Sequence, residues 1–285
     1  MRSFADKLFQ ENDYSFVIVW NQVTAFIFSG ILRKRFKNRY CVNIRDYHFD
    51  NYPFIRGRIK KALRAAAFNT VSSDGFRVFL PRGDYLMIHS FNERMLSGLR
   101  RRNVLRGKDE PIRILNIGQI RWCENIYPLI DELSNDSRFE LYFIGTGSEK
   151  IDEYISGKSI KNVFTHGRFL PDDTVSFLEK ADVIFNLYGV GNLHVDTALS
   201  IKLYYAIYLG IPILTYKGTY MNELSTQVGI GYTVEKDSFF GIGDAMFKWY
   251  HNLDKKAVDE KCDEFIVKAK KSHFELFDLL DRFLK

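Results

Sequence analysis

The sequence predicts an α/β protein built from two Rossmann-like domains. Short apolar stretches typical of buried parallel strands alternate with amphipathic helical stretches along most of the chain. A charged stretch with turn-forming residues and no apolar stripe interrupts this alternation at residues 99–111, which we predict to be a linker. The predicted N-terminal domain is therefore 1–98, and the predicted C-terminal domain, with its terminal helices, is 112–285.

The predicted N-terminal domain opens on a helix at residues 3–10 and continues with four strands that alternate with three helices. The apolar stretch 14–32 carries no charge over 19 residues, but four polar residues interrupt it, so we interpret it as a strand followed by a helix rather than a membrane span. Strands are expected near 16–20, 40–44, 68–71 and 85–88, and helices near 23–36, 55–66 and 73–80.

The alternation is cleaner in the predicted C-terminal domain. Five parallel strands joined by helices make a complete Rossmann-like domain. Strands are expected near 112–117, 139–144, 161–165, 182–187 and 211–215, helices near 124–134, 148–156, 172–180 and 199–209, and further helices over 236–285.

The stretch 199–215 is the most informative of the chain. Ser200 and Lys202 open an amphipathic helix that ends at Gly210, and the chain then enters a short apolar strand. Backbone N–H groups and the positive end of the dipole favour an anion at the start of such a helix. We therefore expect Lys202 to contribute to a phosphate site.

Glycines and polar residues follow several of the predicted strands. Gly145 and Gly147 permit either a close approach of the backbone to a ligand or a plain tight turn. Asp46 and His48 follow the strand at 40–44, and ligands gather at the carboxyl ends of parallel strands. A structural pair between Arg45 and Asp46 is the alternative interpretation.

The charge is distributed unevenly. Residues 1–110 hold 21 Lys and Arg against 10 Asp and Glu, whereas residues 111–285 hold 20 against 25. The basic clusters at 33–39 and 56–64 have helical spacing, which favours an anionic membrane surface as a partner over a merely solvated face. No nucleic-acid-binding motif accompanies the charge, so we expect no nucleic acid. Three widely spaced cysteines indicate a reducing cytoplasm.

Taken in order, these stretches resemble the nucleotide-sugar half of GT-B glycosyltransferases, in particular the bacterial capsule and O-antigen transferases of the large retaining group. The resemblance covers about residues 112–235. The matching residues are 114–118, 141–147, 163–167, 181–184, 200–212, Glu223, Gly229 and Gly231.

The resemblance implies two Rossmann-like domains with a cleft between them. It also implies transfer of a sugar from a nucleotide-diphospho-sugar to a lipid-linked saccharide in surface polysaccharide synthesis, at the cytoplasmic face of the inner membrane. Its expected acceptor-side catalytic residues are Asp46 and His48. Its expected donor residues are Gly118, Arg121, Gly145, Gly147, Phe164, His166, Ser200, Lys202, Tyr205 and Glu223. Among these, Arg121 and Lys202 would contact the diphosphate, the loop of Phe164 and His166 the base, and Glu223 the ribose side.

The chain also departs from this pattern. Thr197 and Tyr205 occupy the positions of the usual pair of donor-site glutamates, although a Tyr205 hydroxyl still suits a ribose. The first βα units of the N-terminal domain are not recognisable, so we expect that domain to be incomplete and completed by a protein partner or by self-association. No Asp-x-Asp occurs, which favours a metal-independent enzyme without a cofactor. A catalytically degenerate subunit that binds a partner transferase or a glycan, and a nucleotide-sugar epimerase of similar fold, are the alternatives.

Overall fold

Two parallel sheets organise the chain, one in each of its two units. The computed structural model describes residues 2–46 and 52–284. Unit 1 comprises Met1–Ser90 with Lys268–Lys285, and unit 2 comprises Phe91–Val267. The α/β class with parallel sheets, predicted from the alternation of apolar stretches, is confirmed.

Unit 1 holds a four-stranded sheet in the order β1-β2-β3-β4, with every neighbouring pair parallel. Its strands are β1 (Val17–Trp20), β2 (Tyr40–Ile44), β3 (Phe68–Val71) and β4 (Leu86–Met87), and its helices before Ser90 are α1 (Arg2–Glu11), α2 (Gln22–Arg35) and α3 (Pro53–Ala65). The predicted helix at 73–80 is instead a 3-10 turn at Asp74–Val78.

Local chemistry explains the two helices that pack on this sheet. The Asn21 side chain accepts the backbone N–H of Thr24 at 3.1 Å and so caps the start of α2. The last turn of α2 carries Arg33, Lys34 and Arg35, where cations favour the negative end of the helix dipole. Pro53, at the first position of α3, has a fixed φ that suits a helix start.

The edge strand β1 leaves apolar side chains in solvent. Ile18 and Trp20 are 57% and 58% exposed, although a parallel sheet is usually covered on both faces. The guanidinium of Arg45 lies 5.2 Å from the Trp20 ring. This edge strand therefore exposes two apolar side chains, one of which is partly covered by Arg45.

Unit 2 holds a six-stranded sheet in the order β10-β9-β8-β5-β6-β7, again with all pairs parallel. Its strands are β5 (Ile112–Ile117), β6 (Phe139–Ile144), β7 (Val163–His166), β8 (Val183–Phe185), β9 (Ile213–Tyr216) and β10 (Gly231–Val234). Its helices are α4 (Glu93–Leu96), α5 (Tyr127–Glu132), α6 (Glu149–Ile155), α7 (Thr174–Leu178), α8 (Leu193–Thr197), α9 (Ile201–Leu209), α10 (Tyr220–Val228), α11 (Ile242–His251) and the first part of α12 (Lys255–Leu284).

Both faces of this sheet are buried, because the strands read as near-continuous apolar runs. One face packs in a cluster around Leu141, Phe143 and Phe185, and the other packs around Leu115, Ile184 and Leu203. The five predicted strands are present with small shifts of their ends.

The segment 99–111, which the sequence predicts as a linker, lies in unit 2. The Arg101 guanidinium donates to the carbonyl oxygens of Ile207 and Tyr208 at 3.1 and 3.2 Å. Arg106 Nε lies 2.6 Å from Oδ2 of Asp182, whose side chain is 1% exposed. The arginines of this segment are therefore not solvated linker residues. They bind the end of a helix and a buried carboxylate, both in unit 2.

No helix in the described part of the chain has the length and hydropathy needed to cross a bilayer. The stretch 14–32, considered above for a membrane span, forms β1 and most of α2.

Candidate functional site

The loops after β5 and β8 leave the sheet of unit 2 at the point where its strand order reverses. These two strands are neighbours, yet the chain continues from β5 toward β6 on one side and from β8 toward β9 on the other. Ligands of open α/β sheets bind at this point, at the carboxyl ends of the strands. A cavity of about 160 Å³ lies there. Its lining comprises Trp122, Asn186, Tyr188, Gly189, His194, Val195, Ala198, Leu199, Ser200, Tyr216, Thr219 and Met221.

Helix α9 begins at this cavity. Ser200 is its N-cap, and the Ser200 Oγ accepts the backbone N–H of Lys202 at 3.2 Å. The same Oγ lies 3.2 Å from the hydroxyl of Tyr188. The predicted helix start is present and lies at the cavity, with the backbone N–H groups of Lys202 and Leu203 bound by the Oγ and the carbonyl oxygen of Ser200.

Lys202 lies behind the cavity wall. Its side chain is buried, and the Nζ donates to Oδ1 of Asn116 and to the carbonyl oxygen of Phe185, the latter at 3.4 Å. The Tyr188 ring, which lines the cavity, has its centre 5.0 Å from this Nζ. Burial lowers the pKa of Lys202, because desolvation disfavours the charged amine. The ammonium therefore lies behind Tyr188, held by internal acceptors.

Asn186 brings an unused acceptor to the cavity. It follows β8 directly, is 4% exposed, and its Oδ1 has no hydrogen-bond partner among the described residues. Buried polar atoms in native proteins nearly always have a partner. The Asn186 Oδ1 is thus an unsatisfied acceptor in the cavity wall, and because the atom itself is buried, a donor group on a bound molecule would reach it only after the side chain turns toward the cavity.

The glycines after β5 and β6 let two loops touch. A Cβ on Gly145 would lie 1.8 Å from the carbonyl oxygen of Gly118, and a Cβ on Gly147 would lie 2.5 Å from that of Ile120. Both glycines have positive φ, +134° and +97°. The close approach that they permit is to the chain's own β5 loop, which they hold beside the cavity.

The β5 loop ends in two further residues of interest. Trp122 has a φ of 53°, in the left-handed region, and its ring lies 5.2 Å from that of Tyr188. Arg121 is exposed, and its guanidinium donates to Oε1 of Gln119. Trp122 therefore forms part of the cavity wall, and Arg121 is on the surface beside it in sequence.

Phe164 and His166 line a different and larger cavity, of about 460 Å³, beside the edge strand β7. The Phe164 ring stacks on Tyr142 with centres 4.9 Å apart and is 41% exposed. His166 is exposed, and its Nδ1 lies 3.1 Å from the carbonyl oxygen of Gly167. The residues expected to read the base are thus together, on an aromatic surface at one end of the sheet.

Comparison with known proteins rests on structure, since no family model and no curated protein matches the sequence. Sucrose-phosphate synthase from Thermosynechococcus elongatus superimposes with a TM-score of 0.63 at 13% identity, over 93% of this chain and 74% of that one. Anabaena HepE in complex with UDP gives 0.65 at 10% identity, over 93% and 78%. WaaG, a glycosyltransferase involved in lipopolysaccharide biosynthesis, gives 0.57 at 13% identity, over 94% and 77%.

These similar structures are GT-B glycosyltransferases. The chain has the GT-B fold. The fold that the resemblance implied is confirmed. At 10–13% identity the similarity establishes the GT-B fold only, and the capsule and O-antigen specificity stays a prediction.

The remaining predicted residues of this GT-B chain lie apart from the cavity lining. Tyr205 is buried in α9, and burial raises the pKa of its hydroxyl. Glu223 is exposed in the first turn of α10 and accepts from Nε2 of Gln227 at 3.5 Å. In unit 1, Asp46 is exposed and its backbone carbonyl accepts from Gln22, while His48 lies outside the described residues. The roles of these residues stay predictions.

Sequence reasoning missed most of the cavity lining of the GT-B chain. Asn186, directly after β8, and Tyr188, two residues further on, carried a usable signal, because polar residues just after an apolar strand lie at the edge of the sheet where ligands bind. Thr219 was recognisable as the N-cap of α10, where its side chain accepts the N–H of Asn222 at 3.1 Å. Trp122 had no such signal. Within the described ranges, no group of three or more His, Cys, Asp and Glu side chains is placed to hold a metal.

Proposed function

We propose that this chain is a glycosyltransferase that takes a nucleotide-diphospho-sugar as donor and binds it at the cavity of unit 2. The observation that carries the proposal is the arrangement at that cavity. The start of α9, the free Oδ1 of Asn186 and the aromatic rings of Trp122 and Tyr188 converge on one space at the carboxyl ends of parallel strands. The GT-B fold supports a transferase, and HepE, of the same fold, was solved with UDP and with UDP-glucose.

The chemistry asked of these residues is chiefly electrostatic. The bond between the anomeric carbon and the diphosphate oxygen breaks, a bond to the acceptor oxygen forms, and the acceptor proton passes to a base. The positive end of the α9 dipole would stabilise the departing diphosphate, because the dipole is oriented before the charge develops. Lys202, whose pKa burial lowers, lies behind Tyr188 as a hydrogen-bond donor, and exposed Arg121 adds a positive charge at the surface.

The polarity of the cavity favours an uncharged sugar. None of its lining residues is Asp, Glu, Lys or Arg, and aromatic side chains provide the apolar surface that a sugar ring stacks on. After its side chain turns toward the cavity, the Asn186 Oδ1 would accept one sugar hydroxyl. We propose Asp46 and His48 on the acceptor side, a lipid-linked saccharide as acceptor, and a reaction that needs neither metal nor cofactor.

Titration calorimetry with UDP, GDP and their glucose and mannose conjugates tests the donor site. We expect one nucleotide-sugar to bind, and Asn186→Leu to weaken it about tenfold, the effect of one lost buried hydrogen bond. Because the Asn186 Oδ1 has no protein partner, this change should leave the unfolding midpoint nearly unchanged. Asn69→Leu is the control remote from the cavity, since the Asn69 Oδ1 in unit 1 is also buried without a partner among the described residues, although its Nδ2 donates to the carbonyl oxygen of Leu63 at 3.0 Å.

If no nucleoside diphosphate or conjugate binds at millimolar concentration, the donor-site proposal is wrong. A non-catalytic subunit then becomes the better candidate, and one observation already favours it. The hydroxyl of Thr197, at one of the two expected glutamate positions, donates to the carbonyl oxygen of Leu193 at 2.6 Å. The non-catalytic subunit would be supported if the chain binds a nucleotide-sugar but neither hydrolyses it nor transfers the sugar when an extract containing acceptors is added.

We propose an anionic membrane surface as the second partner. A groove of about 400 Å³ between α2 and α3 of unit 1 is rich in cations, and no carboxylate of residues 2–46 or 52–284 forms an ion pair with them. The cations of this groove are Arg33, Lys34, Lys37, Lys61 and Arg64. Such a cluster suits lipid phosphates at the cytoplasmic face of a membrane, near a lipid-linked acceptor of surface polysaccharide synthesis.

Vesicle flotation tests this partner. We expect recovery with vesicles that contain phosphatidylglycerol, little with phosphatidylcholine alone, and a decline as salt rises. Lys34→Glu with Lys37→Glu should lower the partition coefficient more than tenfold, at about 1 kcal/mol per cation. The same reversals at the exposed Lys248 and Lys256 of unit 2 are the control. Equal recovery on neutral and anionic vesicles would contradict the proposal.

A further inference from the structure

The terminal part of helix α12 has one packed face and one exposed apolar face. On the packed side, the Phe283 ring lies 4.6 Å from that of Phe16, and the His273 Nε2 lies 3.0 Å from the carbonyl oxygen of His89. These contacts are all within unit 1, and they fix the orientation of the helix about its own axis. Its other side is consequently presented to solvent in a defined way.

The exposed face carries aromatic side chains at helical spacing. Phe274, Phe277 and Leu284 are 66%, 61% and 65% exposed. Residues three, four and seven apart lie on one side of a helix, so Lys270, Phe274, Phe277, Asp281 and Leu284 form a single stripe. We call these five residues the α12 stripe.

The residues of the α12 stripe are arranged so that two copies of it can pair with each other in antiparallel orientation. Lys270 precedes Phe274 by four residues, and Asp281 follows Phe277 by four. When two copies of the helix lie antiparallel, Phe274 of one therefore faces Phe277 of the other, and Lys270 faces Asp281. Both ends of the pair then bring opposite charges together.

The flanking charges follow the same pattern. Residues 268–273 hold three lysines and no carboxylate, and residues 275–281 hold Glu275, Asp278 and Asp281 with no Lys or Arg. An antiparallel pair places the basic half of each helix beside the acidic half of the other, whereas a parallel pair places like charges side by side. Charge thus selects the antiparallel arrangement.

We propose that a second copy of this chain docks on the α12 stripe, forming a two-fold dimer in which the terminal parts of two α12 helices pack antiparallel. Such an interface is isologous, as expected of a homodimer. It centres on four phenylalanines, two from each copy, and aromatic pairs of this kind contribute beyond their buried area. A contact between helices about 25 Å long is small, so the dimer is in concentration-dependent equilibrium with the monomer.

Sedimentation equilibrium of the full chain, from about one to several hundred micromolar, tests the dimer. The weight-average mass should rise from that of one chain toward that of two. Phe274→Ser with Phe277→Ser should keep the protein monomeric over the whole range. Because both rings are largely exposed, circular dichroism and the melting temperature of this variant should match the unchanged protein.

Charge exchange tests the orientation. Lys270→Glu alone and Asp281→Lys alone should each raise the dimer dissociation constant about tenfold, since each turns two attractive contacts repulsive. The double variant restores both attractions and should recover the dimer. The unchanged dimer should weaken as salt rises.

Three results would overturn the proposal. The first is a monomer at every concentration, and the second is a dimer that survives loss of both phenylalanines. The third is a dimer that strengthens with salt, which would indicate like charges at the interface. None of these depends on nucleotide binding, so the donor site and the dimer are tested separately.

Discussion

Replacing Gly145 with alanine is expected to lower the free energy of unfolding by more than about 4 kcal/mol, or to prevent folding. The new Cβ would lie 1.8 Å from the carbonyl oxygen of Gly118, and both are backbone positions that no rotamer change can relieve. The φ of +134° adds strain for any residue with a Cβ. Urea unfolding followed by circular dichroism measures the loss.

Gly157→Ala is a control that distinguishes the steric clash with Gly118 from the backbone strain of a positive φ. Gly157 also has a positive φ, +77°, but a Cβ there meets no atom within 4 Å. Gly157→Ala should therefore lower the free energy of unfolding by about 1–2 kcal/mol, which is the penalty of a left-handed backbone conformation alone. Equal losses in the two variants would mean that the contact between the β5 and β6 loops contributes nothing of its own.

Replacing Asp182 with alanine is expected to destabilise unit 2 by about 3–5 kcal/mol, because the change leaves the buried guanidinium of Arg106 with only the exposed carboxylate of Glu110 as counter-charge. Oδ2 of Asp182 lies 2.6 Å from Nε of Arg106 and accepts the backbone N–H of Arg113 at 2.9 Å. Its Oδ1 lies 2.7 Å from Nη2 of Arg102. The side chain of Arg106 is only 9% exposed, so water cannot replace the carboxylate.

Asp263→Ala provides the matched control. Asp263 also pairs with an arginine, Arg101, at 2.8 Å, but its side chain is 65% exposed. Loss of the Asp263 carboxylate should lower the free energy of unfolding by less than about 1 kcal/mol. Chemical denaturation of both variants gives the comparison, and a loss at Asp182 as small as that at Asp263 would refute the role given to the buried carboxylate.

The strands of both units were predictable because their signal is local. A run such as Ile112–Ile117 is apolar throughout, so burial on both faces follows from the run itself. Strand β10 was missed because it begins with Gly231 and carries Thr233, which weaken its apolar character. The terminal part of α12 packs in unit 1 although its sequence follows unit 2, and no local pattern specifies that choice.

The candidate site was predictable only where it depends on neighbours in sequence. Ser200 follows from helix-capping chemistry, which acts over two residues. The environment of Lys202 cannot be deduced from neighbouring residues, because its acceptor Asn116 lies 86 residues earlier in the chain. Burial of the Lys202 amine behind Tyr188 depends on how β5, β8 and α9 pack. That packing cannot be deduced from the pattern of residues along the sequence.

The contacts of Arg101 change what kind of segment 99–111 is. A tether tolerates insertions and deletions, since loop length affects stability only weakly. This stretch instead places a guanidinium on the carbonyl oxygens that end α9, the helix whose opposite end faces the cavity. Segment 99–111 is therefore part of the packing of unit 2 rather than a tether, and a deletion in it should release the carbonyl oxygens of Ile207 and Tyr208 from Arg101.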